Sequence, residues 1–134
     1  RLLENLGAGE SAAITADAEG FAVLWIRPGS GIHMARFGVD GAETLSPRRI
    51  SGEAGSPFAG LSVAWGGQDI AYATSVGGII VVGRVRVGGL LEGPAQALFG
   101  GERPTLVRAG GGYARFWFDD GAVGYRLGAV NCRE

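Results

Sequence analysis

The chain has 134 residues, 26 of them Gly, with 46% hydrophobic and 19% charged residues and a formal net charge of −1. A disordered chain would combine low hydrophobicity with high net charge, and a nucleic-acid binder would carry a basic excess, so both classes are excluded. The glycines, far above the usual share of roughly 7%, follow no three-residue period, which excludes collagen.

Strand-sized apolar stretches bounded by Gly, Pro, Asp and Ser run from one end of the chain to the other. The first group is predicted over residues 13–18, 21–26, 32–38 and 44–50. The second covers 61–65, 70–74, 79–87 and 95–99, and the third 105–109, 113–118 and 122–130. Between them stand Glu19-Gly20, Asp40-Gly41, Gly66-Gly67, Gly88-Gly89, the triple glycine 110–112 and Asp120-Gly121. These are hairpin turns in which Gly or Asp supplies positive φ. Helices are not expected, because each interior Gly costs about 1 kcal/mol. The longest apolar run, 77–82, is far short of the ~20 residues of a membrane-spanning helix.

The strands fall into repeats. Phe21-Ala22-Val23-Leu24-Trp25 matches Tyr113-Ala114-Arg115-Phe116-Trp117 in position and character. The match extends upstream without a gap, since Leu6, Gly9, Glu10 and Gly20 recur as Leu98, Gly101, Glu102 and Gly112. A weaker copy lies between, around Trp65 and Asp69-Ile70-Ala71-Tyr72-Ala73. The strand after each copy carries an Arg in register: Arg36, Arg84 and Arg126. A Gly-Glu pair precedes each copy, at Glu10, Glu53 and Glu102. Each repeat is thus four short antiparallel strands in about 44–48 residues, the size of a propeller blade. The chain is read as a single domain, 1–134, with repeats at about 11–51, 60–99 and 104–134 plus 1–8. In this phase the opening residues align with a fourth strand and the chain stops after a third. The leading strand is therefore expected to complete the last blade, which would pair both open edges.

These repeats resemble the blades of repeat-type secreted bacterial β-propellers. The likeness rests on Gly20-Phe21-Ala22-Val23-Leu24-Trp25, Met34-Ala35-Arg36-Phe37 and Asp40-Gly41, with a partial match in the last copy and no Trp at Ala73 in the middle one. It implies an all-β fold of propeller blades and a location outside the cytoplasm: secreted, periplasmic or on the cell surface. Three blades are too few for a ring, which typically has four to eight. A ring closed by dimerisation, or by a second polypeptide, is therefore expected. A β-trefoil, also twelve strands in three repeats, is the alternative fold.

Candidate chemistry is sparse. Trp25 and Trp117 either fill the wedge between sheets or offer a sugar-stacking face. The three in-register arginines suit ion pairs between blades, hydrogen bonds to backbone carbonyls, or an anion site. Glu10, Glu53, Glu102 and Arg103 stand in connections from outer to inner strands, Arg27 follows a second strand, and Asp119 and Asp120 precede a turn glycine. These residues with Trp25 and Trp117 form the expected ligand-binding set. His33 is the sole His and no nucleophile elbow surrounds a Ser, so no catalytic residue is assigned. One Cys, Cys132, and one His exclude a structural zinc site, and no cofactor is expected. Cys132 is either free or pairs with a different chain. Residue 1 is Arg rather than Met, and no signal peptide is evident, so the chain reads as excised or processed.

The expected function is a non-catalytic binding or scaffolding module, lectin-like in its narrower form, with a glycan as ligand. Two alternatives stand beside it. One is a hydrolase whose central-channel site, built from Asp119, Asp120, Glu53 and His33, is completed by another chain. The other is a purely structural part of a larger propeller.

Overall fold

Apolar runs without helical spacing satisfy their backbone groups by pairing with one another. The computed structural model describes residues 9–51, 58–90, 95–109, 112–118 and 128–130. Among them are β1 (Ser11–Asp17), β2 (Gly20–Arg27), β3 (Gly31–Gly38), β4 (Glu43–Ser51), β5 (Phe58–Trp65), β6 (Asp69–Val76), β7 (Ile79–Arg86), β8 (Gln96–Gly100), β9 (Glu102–Ala109), β10 (Gly112–Phe118) and β11 (Gly128–Val130). No helix occurs among the described residues, hence none long and apolar enough to cross a membrane.

The strands form antiparallel meanders in chain order: β1-β2-β3-β4, β5-β6-β7-β8 and β9-β10-β11. No sheet closes on itself among the described residues. The predicted strands reappear with small shifts at their ends. β5 starts three residues before its predicted beginning, because the strand runs on through a bulge at Gly60, φ 67, between the pairs Ala59–Ser75 and Leu61–Thr74. The predicted strand 122–130 is described only for Gly128–Val130. The leading segment expected to complete the last blade, and Cys132, lie outside the described residues.

The sheets stack face on face, the second between the first and the third. Alternation along each strand decides which side chains meet. Ala22, Leu24, Ile26, Ile32 and Met34 of the first sheet pack with Ile70, Tyr72 and Val85 of the second, joined by Leu61, Val63 and Trp65. The opposite face of the second sheet offers Ala64, Ala71, Ala73, Ile80 and Val82 to Leu106 of the third. The first strands β1, β5 and β9 lie side by side, in different sheets. Polar groups tie the stack further. The Leu106 N–H donates to the Ser62 hydroxyl at 2.9 Å, and the Ser75 hydroxyl donates to the Gly101 carbonyl at 3.3 Å. Arg48, on the outer strand β4, donates to the Gly88 carbonyl at 3.2 Å.

One glycine is required by this packing. Tyr72 is fully buried and stands opposite Gly83 across the β6–β7 ladder. A Cβ on Gly83 would come within 2.4 Å of the phenol ring, so the ring lies where a side chain would otherwise be. Burial pushes the Tyr72 phenol above its ordinary pKa of 10.0, with the Ser51 side chain pulling the other way. Gly83→Ala is expected to lower unfolding free energy by about 1–3 kcal/mol, the usual cost of overpacking. In a Tyr72→Ala background the same substitution costs much less, and urea unfolding of the four proteins in that cycle measures the coupling.

Candidate functional site

Hairpin meanders bring alternate connections to the same end of every sheet. One end therefore gathers the start of β1, the β2–β3 turn, the start of β5, the β6–β7 turn and the β8–β9 junction. At that rim the Glu10 N–H donates to the Ile26 carbonyl at 3.1 Å, which places Glu10 beside Arg27, and both are exposed. The β6–β7 turn uses Gly77 and Gly78 at φ 57 and 79, both positive as a two-residue type I′ hairpin demands. The Gly78 carbonyl accepts from the Gly101 N–H at 2.9 Å, so this turn docks on the chain entering β9. Buried Thr74 donates to the Gly60 carbonyl at 2.6 Å and holds the bulge beneath. Beside that bulge stands Arg103, exposed and held at φ 50, the one described non-glycine residue with positive φ.

The predicted ligand-binding residues are thus partly brought together. Glu10, Arg27 and Arg103 share the rim. Glu102 and Trp117 lie on β9 and β10 respectively. Glu53, Asp119 and Asp120 lie outside the described residues. Trp25 is only 4% exposed, stacked on His33 with ring centroids 5.8 Å apart, and offers no open face to a sugar. It takes the packing role instead. Among the described residues no group of three or more His, Cys, Asp or Glu side chains is placed to hold a metal ion.

Arg36 and Arg84 form ion pairs with aspartates, within a sheet rather than between sheets, and Arg126 lies outside the described residues. Arg36 meets Asp17 at 2.6 Å, both largely buried. Arg84 meets Asp69 at 3.1 Å. The two carboxylates come from opposite sides of the first hairpin. Asp17 ends β1 and faces Gly20, whereas Asp69 begins β6 and faces Gly66. At Gly20 the space is taken by β3, since a Cβ there would come within 2.0 Å of the Phe37 carbonyl. Asp17 also accepts the Glu19 N–H at 2.7 Å and the Gly20 N–H at 3.0 Å, so one carboxylate fixes both the turn and the arginine. Sequence reading missed these aspartates because they are not in register with one another. The signal was available as an acid and a glycine bracketing the first turn of both repeats.

No family model, curated protein or solved structure matches the chain.

Two outcomes test these local assignments. Asp17→Ala strips charge-assisted partners from Arg36 and the β1–β2 turn, and is expected to cost about 2–3 kcal/mol in urea unfolding. His33 supplies a pH signature. Burial holds its imidazole below the ordinary 6.5; the Gly31 carbonyl opposes this, and Arg27 and Arg49 reinforce it. The unfolded chain therefore binds the proton first. The contribution of His33 is full above pH 6.5 and is lost as pH falls through the lowered value. His33→Phe keeps an aromatic ring beside Trp25 and should flatten this acid-side loss, measured as unfolding midpoint against pH.

Proposed function

We propose that the chain is a non-catalytic binding module built of propeller blades, and that its recognition surface is the rim carrying Glu10, Arg27 and Arg103. Two features support the blade reading. Each complete sheet is a four-stranded meander, and the first strands of successive sheets adjoin, as they would around a propeller axis. The meander order favours blades over the alternative trefoil, whose strands build a closed barrel.

Arg103 carries the assignment of the rim. Left-handed backbone costs roughly 1–2 kcal/mol for a residue with a Cβ, and Gly is the ordinary occupant. Here the adjacent residues 100 and 101 are both Gly, yet the exposed position at φ 50 is Arg. A costly conformation kept on an exposed cation is a mark of function when packing does not require it. The rim also has the character of a recognition surface, namely connections on a rigid β scaffold. Its mixed charge and polar backbone suit a polar, hydroxyl-rich ligand, and a glycan is the narrower reading.

Arg103→Gly separates the two roles of this residue. It is expected to raise unfolding free energy by about 1 kcal/mol through relief of strain. It is also expected to weaken glycan binding on an array at least tenfold. Glu19→Ala and Gln68→Ala, at the opposite end of the sheets, should leave binding unchanged. A variant that gains stability and binds as before would remove the rim from consideration.

A further inference from the structure

Three nitrogen-bearing side chains meet at the rim end of the first sheet. Arg27 ends β2, and Trp25, two residues earlier, shares its face. Trp25 stands opposite His33 on β3, and His33 opposite Arg49 on the outer strand β4. Arg27, His33 and Arg49 therefore occupy adjoining positions on one face, with the imidazole on the middle strand. Both arginines are exposed and His33 is nearly buried.

The two guanidiniums differ from others in this protein. Arg36 and Arg84 meet aspartates, and Arg48 donates to the Gly88 carbonyl. Neither the Arg27 nor the Arg49 guanidinium has an ion pair or a hydrogen bond among the described residues. Glu10, beside Arg27 at the entry to β1, forms no ion pair with it. His33 is fixed between two neighbours. Trp25 stacks on its ring, and its Nδ1 lies 3.4 Å from the Gly31 carbonyl. Its Nε2 makes no hydrogen bond and is not among the buried unpartnered atoms, so it is the reachable atom of the ring. Burial lowers the proton affinity of His33, the Gly31 carbonyl opposes this, and both arginines lower it further. Two uncompensated cations beside a protonatable ring are an unfavourable arrangement that an anion would relieve.

Resting on the reading of this rim as a recognition surface, we infer that Arg27, Arg49 and His33 form an oxyanion site for the acid group of a saccharide, a carboxylate or a sulfate ester. The planar guanidinium fork matches either group, and its donors are free here. With Nδ1–H turned to the Gly31 carbonyl, neutral His33 offers the anion only the Nε2 lone pair. Protonated from solvent, Nε2–H becomes a donor. Anion and proton are thus taken up together, and affinity rises as pH falls through the titration of His33. By linkage the bound anion raises the proton affinity of the ring by the same factor.

His33 is the sole His of the chain, so its imidazole resonances report this site without overlap. In the native protein at fixed ionic strength, sulfate and oligogalacturonate are each expected to raise the His33 titration midpoint saturably, relative to chloride. Arg49→Gln should raise the sulfate concentration needed by about tenfold or more. Arg108→Gln makes the same charge change at the opposite end of the sheets and should leave the response intact. A midpoint indifferent to both anions, or an equal response in Arg49→Gln, overturns the site. On a glycan array, acidic saccharides are expected to bind at least tenfold tighter than their neutral counterparts. Binding of neutral glycans alone overturns the inference and leaves the rim reading standing. A sulfate response with no glycan bound overturns the saccharide as ligand, and the rim reading with it.

Discussion

β2 and β6 are apolar on both faces, and this constraint governs the stack. Phe21, Val23 and Trp25 point one way, and Ala22, Leu24 and Ile26 the other. Ile70 and Tyr72 point to one side of β6, Ala71 and Ala73 to the opposite side. A sheet with one wet face could be covered by a single partner. A sheet whose central strands shed water on both sides needs a neighbour on each, with about 25 cal/mol lost for every Å² left bare. Layering then follows without helices, which the glycine content disfavours.

Polar chemistry has been fitted around that layering rather than placed in it. The Arg36–Asp17 and Arg84–Asp69 pairs lie near the ends of strands, where each arginine lies alongside small alanines and reaches a carboxylate at the first turn. The acid has changed sides of the hairpin between repeats while the pair has been kept. Geometry at the guanidinium, rather than residue register, is therefore what the two repeats share. Such pairs orient a turn and close a sheet end, and buried pairs of this kind often serve specificity more than stability.

Strand positions, turn positions and the repeat were legible because each is a local matter. A Gly pair between two alternating runs closes a hairpin whatever surrounds it, and Trp25 and Trp117 mark equivalent points of two repeats by residue type alone. Gly60 shows the limit: a bulge and a turn use the same residue with the same positive φ, and only the partner strand separates them. Trp25 shows another. Exposed and buried indoles occupy the same strand position, and the Gly9 and His33 that flank this one are distant or ambiguous in sequence. Arg103 gave no local sign of its φ, since nothing about Arg before Pro104 demands a left-handed backbone.

By itself, the order of residues determined an all-β chain of short hairpin-linked strands and its division into repeats, because backbone pairing between neighbours needs only alternation and turn chemistry. Which face of each sheet meets which, which acid each arginine finds, and which apolar side chains remain in water were decided by tertiary structure alone. These depend on the relative placement of sheets that are far apart along the chain, and a two-residue period has no means of expressing that distance.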